Sequence, residues 1–222
     1  MLRSRLLLVS TLCLAVFMTV LITAPAFAFG PRAIRLMLGG GWMDQSFDYE
    51  KNLDLVDSER KFWMTGGASL EIGLFGDSPL DLEVGAMFIQ KGMHSEVKEY
   101  DEVGTYLGSI TLDPSARYLS IPVLLRYTLS RGTLAPYVVA GPTLEIKLSE
   151  DGKDAFDEVY DKMDTANLGI QAGVGVELGN IGASLRYIRD LGTTLDAPAD
   201  WTLESVTNDG ILALVTLRLW GR

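Results

Sequence analysis

The sequence predicts an all-β protein: an eight-stranded antiparallel up-and-down transmembrane β-barrel with short periplasmic turns and long extracellular loops. Three observations lead to this fold class. Eight segments alternate apolar residues with small or polar ones, one face of each segment carries no charge, and the connections between segments alternate in length. An N-terminal export signal is consistent with such a location.

The first 28 residues have the features of a cleaved secretion signal. Two arginines precede an uncharged stretch from Leu6 to Ala28, which ends in the small-x-small pattern Ala26-Phe27-Ala28 that signal peptidase accepts. We therefore predict a signal peptide over residues 1–28 and a barrel domain over residues 29–222. The alternative is an uncleaved anchor, since the apolar run from Leu6 to Ile22 is nearly long enough to span a bilayer.

Composition excludes several function classes. The chain has 29 acidic and 19 basic residues, one His and one Cys, for a net charge of −10. Such an acidic chain lacks the basic surface that nucleic acid requires. One His and one Cys cannot build a His/Cys metal cage or a disulfide framework. We predict no nucleic-acid partner, no metal and no cofactor.

The alternating segments are long. Most have about ten residues or more, whereas strands of soluble proteins average about 5–6 and strands that cross a bilayer need about 9–11. The predicted strands are residues 33–43, 62–75, 79–92, 117–129, 134–148, 167–178, 181–191 and 210–220.

The two faces of each segment favour a membrane barrel over a soluble one. A soluble barrel would turn its apolar face inward and show water a face rich in charged residues. Here the second face is small and polar, as in the alternation Gly169, Gln171, Gly173 and Gly175, and the strands contain few lysines. Small residues suit the crowded interior of a narrow barrel, so we predict that the apolar face meets lipid and that the interior is polar and closed.

The connections support the same architecture. The short ones are Gly76-Asp77-Ser78, residues 130–133 and Gly179-Asn180, and the long ones cover residues 44–61, 93–116, 149–166 and 192–209. Short turns on one side and long loops on the other are typical of outer-membrane barrels. Closure leaves no unpaired edge in hydrocarbon.

One hairpin resembles a known family. Residues 118–127, with the motif Tyr-Leu-x-Ile-Pro, and residues 135–144, with the motif Pro-Tyr-x-x-x-Gly-Pro, are similar to the central hairpin of the PorT-type outer membrane β-barrel domain family. The resemblance implies a small OmpA- or OmpX-like barrel in the outer membrane and carries no catalytic residue. The last strand of an outer-membrane barrel normally finishes on an aromatic residue that the assembly machinery reads. Here the aromatic residue is Trp220, and two further residues, Gly221 and Arg222, follow it.

Seven charged residues on the Gly-rich face fall in the half of the barrel nearest the short turns. Enclosed together, they would survive burial only as a paired and hydrogen-bonded network. We predict a structural cluster that fills the lumen, with an anion or solute path as the alternative. Its members are Arg35, Glu71, Glu83, Arg126, Glu177, Arg186 and Arg218.

The long loops carry most of the acidic residues, 22 carboxylates against six Lys and Arg. The run over residues 150–158 could bind divalent cations, but it lacks the spacing of an EF-hand loop. The other interpretations are solvated loops and loose sharing of divalent cations with lipopolysaccharide phosphates.

The leading functional prediction is a non-enzymatic barrel with a structural or surface-interaction role in the cell envelope. A small-solute or ion channel is the alternative, and a lipid A-modifying enzyme is the third candidate. The single histidine, His94, is adjacent to Ser95, so in a strand their side chains would point to opposite faces. We expect a monomer that contacts outer-membrane lipid and lipopolysaccharide, and the outer-membrane assembly machinery during biogenesis.

Overall fold

The structure is a computed structural model that describes residues 30–49, 57–100, 106–112, 115–130, 132–151, 165–191 and 203–221. The predicted signal segment, residues 1–28, lies outside these ranges. Within them, no helix is long and apolar enough to cross a membrane.

The described residues form β-strands joined by turns. Three strands have 19 residues or more, so the ladders run beyond the predicted segments. The strands are β1 Gly30–Tyr49, β2 Asp57–Gly73, β3 Leu80–Tyr100, β4 Tyr106–Leu112, β5 Ser115–Thr128, β6 Leu134–Asp151, β7 Ala166–Leu178, β8 Ile181–Asp190 and β9 Leu203–Gly221.

These strands close into an eight-stranded antiparallel barrel. β1 pairs with β2 on one side and with β9 on the other, where Trp42 lies opposite Ile211. β4 and β5 both pair with β3, and the pairs Ser95–Leu112 and Gly92–Ser115 belong to one continuous register. β4 and β5 therefore form one barrel strand, and the predicted fold class is confirmed.

The four predicted long connections are each partly wrong, because β1, β2, β6 and β9 also extend into residues 44–61, 149–166 and 192–209. Residues 93–116 were expected to be a loop, but β3 continues to Tyr100 and β4 pairs with it from Tyr106 to Leu112. The segment Tyr-Leu-Gly-Ser-Ile-Thr-Leu is rich in aromatic and β-branched residues, which favour extended pairing. The antiparallel ladder can continue beyond the hydrocarbon region because the backbone hydrogen bonds between strands do not require contact with lipid.

The apolar face points outward. Leu38 is 68% exposed, Met64 78% and Val174 58%, whereas the alternate residues Met37 and Thr65 are buried. Such a surface would be unfavourable in water, because it presents a continuous apolar patch on every strand. The structure therefore places the apolar face where the sequence predicts lipid contact.

Two short turns depend on glycine. Gly76, between β2 and β3, has a φ of 47°, and Gly179, between β7 and β8, has a φ of 60°. These values lie in the left-handed region that most side chains avoid. Tight turns at this end bring the inward residues of neighbouring strands together just above them.

Candidate functional site

All seven charged residues proposed from the sequence lie inside the barrel. Arg35, Glu83, Arg126 and Arg186 are each no more than 3% exposed. They sit above the short turns because each is a few residues from the turn end of its strand and has the inward parity of that strand. We call Arg35, Glu71, Glu83, Arg126, Glu177, Arg186 and Arg218 the lower network.

Arg126 lies at the centre of the lower network. Its Nη2 donates to Glu177 Oε1 at 2.6 Å, its Nε lies 3.4 Å from Glu71 Oε2, and its Nη1 lies 3.5 Å from Glu83 Oε2. Its guanidinium carbon is 3.5 Å from the centroid of the Tyr137 ring, a cation–π contact. One side chain on β5 thus connects carboxylates on β2, β3 and β7.

The other arginines give every glutamate of the lower network a second partner. Arg35 contacts both Glu71 and Glu177, the latter with Nη2–Oε1 at 2.9 Å. Arg186 Nη2 lies 2.9 Å from Glu83 Oε1, and Arg218 contacts Glu177. Each carboxylate is therefore shared by at least two guanidinium groups, which is the pairing that buried charges require.

A second buried ionic group, absent from the sequence-based set, lies nearer the long connections. Lys91 Nζ contacts Glu145 and lies 2.6 Å from Asp190 Oδ1, and Asn208 Nδ2 donates to Asp190 Oδ2 at 2.7 Å. All four side chains are at most 4% exposed. We call Lys91, Glu145, Asp190 and Asn208 the upper cluster. Its signal was in the sequence, because each charged member has the inward parity of its strand.

An apolar layer lies between the two ionic groups on β1, β3, β8 and β9, so the prediction of a polar interior is wrong on that side of the lumen. On β5, β6 and β7 the inward residues at this height are the buried polar residues Ser120, Thr143 and Gln171. On β3, Met87 and Ile89 lie between Glu83 and Lys91. On β8, Ile188 lies between Arg186 and Asp190. The layer is buried to 2% exposure or less and comprises Met37, Met43, Met87, Ile89, Ile188, Leu212 and Leu214.

Glycine on facing positions makes room for the largest interior side chains. A Cβ on Gly173 would lie 2.8 Å from Arg186 Cγ and 2.5 Å from Leu185 O. A Cβ on Gly175 would overlap the Tyr137 ring. The Gly-rich inner face of β7 is thus the complement of Arg186 and Tyr137 on its neighbours.

The remaining sequence-based candidates contribute little to this site. The side chains of His94 and Ser95 lie outside the described residues, as does most of the acidic run 150–158. Within the described residues, no group of three or more His, Cys, Asp or Glu is placed to hold a metal ion. Four aromatic residues near strand ends are on the outer surface, with exposures of 46% for Trp42, 47% for Phe75, 45% for Tyr127 and 39% for Tyr187.

A closed antiparallel barrel with an apolar outer wall and a charged interior defines the class of outer-membrane β-barrels. The chain belongs to the outer membrane protein beta-barrel domain family, whose family model matches residues 48–196. No curated protein matches the sequence.

Two solved structures are similar to the chain. One is Neisserial surface protein A, with 12% identity, a TM-score of 0.46 and coverage of 86% of this chain and 99% of that one. The other is the outer membrane protein OprG from Pseudomonas aeruginosa, with 10% identity, a TM-score of 0.46 and coverage of 88% and 100%.

Proposed function

We propose that this chain is a non-enzymatic integral outer-membrane barrel with a structural or surface-interaction role in the envelope of a Gram-negative cell. It is exported by a signal peptide cleaved after Ala28 and inserted by the outer-membrane assembly machinery. It remains a monomer among outer-membrane lipid and lipopolysaccharide, with the short turns in the periplasm and the long acidic loops outside. The hairpin of residues 118–144 favours the PorT-type branch of the family.

The filled lumen is the observation that carries this proposal. A water-filled passage would leave the side chains that line it accessible, yet Met37, Met87 and Leu212 in the apolar layer are each 0% exposed. The lower network closes the lumen a few residues above the short turns, and the upper cluster fills the section nearer the long connections. An interior this narrow is filled by its own side chains, as expected for eight strands.

The channel alternative requires a continuous polar path, and two features oppose it. An ion leaving the lower network would have to pass between the apolar layer and the buried side chains of Ser120, Thr143 and Gln171, none more than 2% exposed, and so without water, at a large desolvation cost. Every glutamate of the lower network is also already held by two arginines. The described lumen is thus better suited to stabilising the barrel than to conducting solute.

Planar-bilayer recording combined with heat-modifiable migration on SDS gels tests the proposal. The folded protein should migrate anomalously without boiling and should show no stepwise conductance, while a known porin in the same bilayer serves as positive control. Arg126→Ala should lower the unfolding temperature and leave the bilayer silent, because the apolar layer remains. A large conductance in Arg126→Ala at unaltered stability would contradict a space-filling role.

The enzyme alternative has its own measurement. Cells that express the protein should show no lipid A mass change relative to cells without it. A mass change that disappears in His94→Ala would overturn the non-enzymatic proposal.

A further inference from the structure

A cavity of about 590 Å³ lies at the short-turn end of the lumen, beneath the lower network. Its wall includes Arg32, Asp77, Arg126, Arg218 and Trp220. The lower network and the apolar layer close it from above, so it ends inside the barrel. A blind cavity of this size lies within the range of small-molecule sites, about 300–1,000 Å³.

In the Arg32–Asp81 and Arg218–Glu177 ion pairs that line this cavity, the guanidinium group is the more exposed member. The side chain of Arg32 is 25% exposed and that of Arg218 is 17% exposed, whereas their partners Asp81 and Glu177 are 4% and 7% exposed. The carboxylates therefore lie behind the cations that they neutralise. The register of β1 and β2 shifts between Pro31 and Ala33, and a bulge there explains how Arg32, of outward parity, reaches into the lumen.

Charge is unevenly distributed along the depth of the cavity. At its closed end, three arginines face two glutamates, which leaves an excess positive charge; the residues are Arg35, Arg126, Arg218, Glu71 and Glu177. At its rim, Arg32 pairs with Asp81 at 2.6 Å and donates to Ser78 O at 3.0 Å. Asp77, in the same turn, is exposed and adds a negative charge at the rim. Among the described residues that line it, the cavity is thus positive inside and negative at its opening.

We propose that this cavity is a binding site for a small zwitterion that enters carboxylate first. The carboxylate lies against Arg218, where a guanidinium fork can take both oxygens, and the ammonium lies at the rim near Asp77. Ala135, which lies opposite Glu177 on the inner face of β6 and lines the cavity, provides an apolar surface for the rest of the molecule. The chemistry is that of an amino acid or the end of a short peptide, available on the turn side of the barrel.

Four capped forms of one dipeptide test the charge requirement by calorimetry on the purified barrel in non-ionic micelles. The probes are Ala-Ala, N-acetyl-Ala-Ala, Ala-Ala-amide and N-acetyl-Ala-Ala-amide. Ala-Ala should bind about tenfold more tightly than either singly capped form, since each cap removes one charge-assisted contact. Free alanine distinguishes the two sources: binding as tight as that of Ala-Ala indicates an amino acid site, and weaker binding indicates a peptide site.

Two variants locate the two charges. In Asp77→Asn, Ala-Ala and N-acetyl-Ala-Ala should bind equally, because the rim no longer favours an ammonium. In Arg218→Gln, Ala-Ala and Ala-Ala-amide should bind equally. Arg189→Gln, on the outer face of β8 and exposed, is the matched control and should bind like the wild type.

Three results would overturn the proposal: no binding of Ala-Ala, equal affinity for all four probes, or an unchanged probe ranking in Asp77→Asn. Since Asp77 lies in an exposed turn outside the lower network, this variant tests the rim charge independently of Arg218→Gln. The proposal is independent of bilayer conductance, because a blind cavity binds without conducting.

Discussion

In the lower network every glutamate contacts at least two arginines, whereas in the upper cluster a single ammonium, that of Lys91, contacts both Glu145 and Asp190. Both groups are buried in the same barrel, and the apolar layer lies between them on β1, β3, β8 and β9. They differ in how many cations would remain if one were lost. Within the described residues, no other cation contacts Glu145 or Asp190.

The difference follows from the chemistry of the two cations. A guanidinium presents five donors in a plane and can contact carboxylates on several strands at once, as Arg126 does with Glu71, Glu83 and Glu177. An ammonium is a compact point charge with three donors. The lower network should therefore tolerate the loss of one arginine better than the upper cluster tolerates the loss of Lys91.

The largest expected effect is that of Lys91→Met. The substitution keeps most of the side-chain volume and leaves two buried carboxylates with no cation among the described residues. Removing one partner of a buried ion pair typically costs about 3–5 kcal/mol, so the free energy of unfolding should fall by about that amount. Urea unfolding of the barrel in lipid vesicles, followed by tryptophan fluorescence, measures it.

A compensated variant separates charge from packing. Lys91→Met combined with Glu145→Gln and Asp190→Asn removes the uncompensated charges and should recover a large part of the lost stability. No recovery in this triple variant would mean that Lys91 acts through packing, and the comparison with the lower network would lose its basis.

A smaller effect is expected for Arg126→Met, although Arg126 has more partners than Lys91. Glu71 keeps Arg35, Glu83 keeps Arg186, and Glu177 keeps Arg35 and Arg218. The loss should be that of hydrogen bonds to charged groups, about 1.5–3 kcal/mol. The same urea unfolding measures it, and a loss larger than that of Lys91→Met would show that the second partners do not compensate.

The sequence was sufficient to predict the lower network because alternation assigns each residue to a face. Arg126 and Glu177 fall on the Gly-rich face, and counting from the short turns gives their depth. The same rule applies to Lys91, Glu145 and Asp190, but these lie near the long connections, where strand ends are hard to place from the sequence. Which carboxylate meets which arginine depends on register and rotamer, and alternation determines neither.

The apolar layer was harder to predict for a different reason. In β9 the run Ile211-Leu212-Ala213-Leu214-Val215 is apolar on both faces, so alternation of polarity cannot assign a face there. The structure places Leu212 and Leu214 inside, at no more than 2% exposure, and Ile211 and Val215 outside. Leu212 and Leu214 are an even number of residues from Asn208 and Arg218, which point inward. Counting from these two polar residues therefore assigns the leucines to the inner face.

The smallest effect is expected for Arg218→Gln. Arg218 is the third arginine around Glu177, after Arg35 and Arg126, and its side chain is the most exposed of the lower network at 17%. A partly exposed and redundant ion pair contributes up to about 1 kcal/mol, so the free energy of unfolding should fall by no more than that.

Glu177→Gln is the informative contrast to Arg218→Gln. It weakens contacts to three arginines at once. Arg35 then keeps one carboxylate, that of Glu71, and Arg126 keeps two, those of Glu71 and Glu83. It should therefore cost more than Arg218→Gln in the same urea unfolding. Equal destabilisation of the two variants would mean that Arg218 is as important to the network as Glu177. Sharing of each glutamate between arginines would then not explain how the narrow lumen holds four arginines.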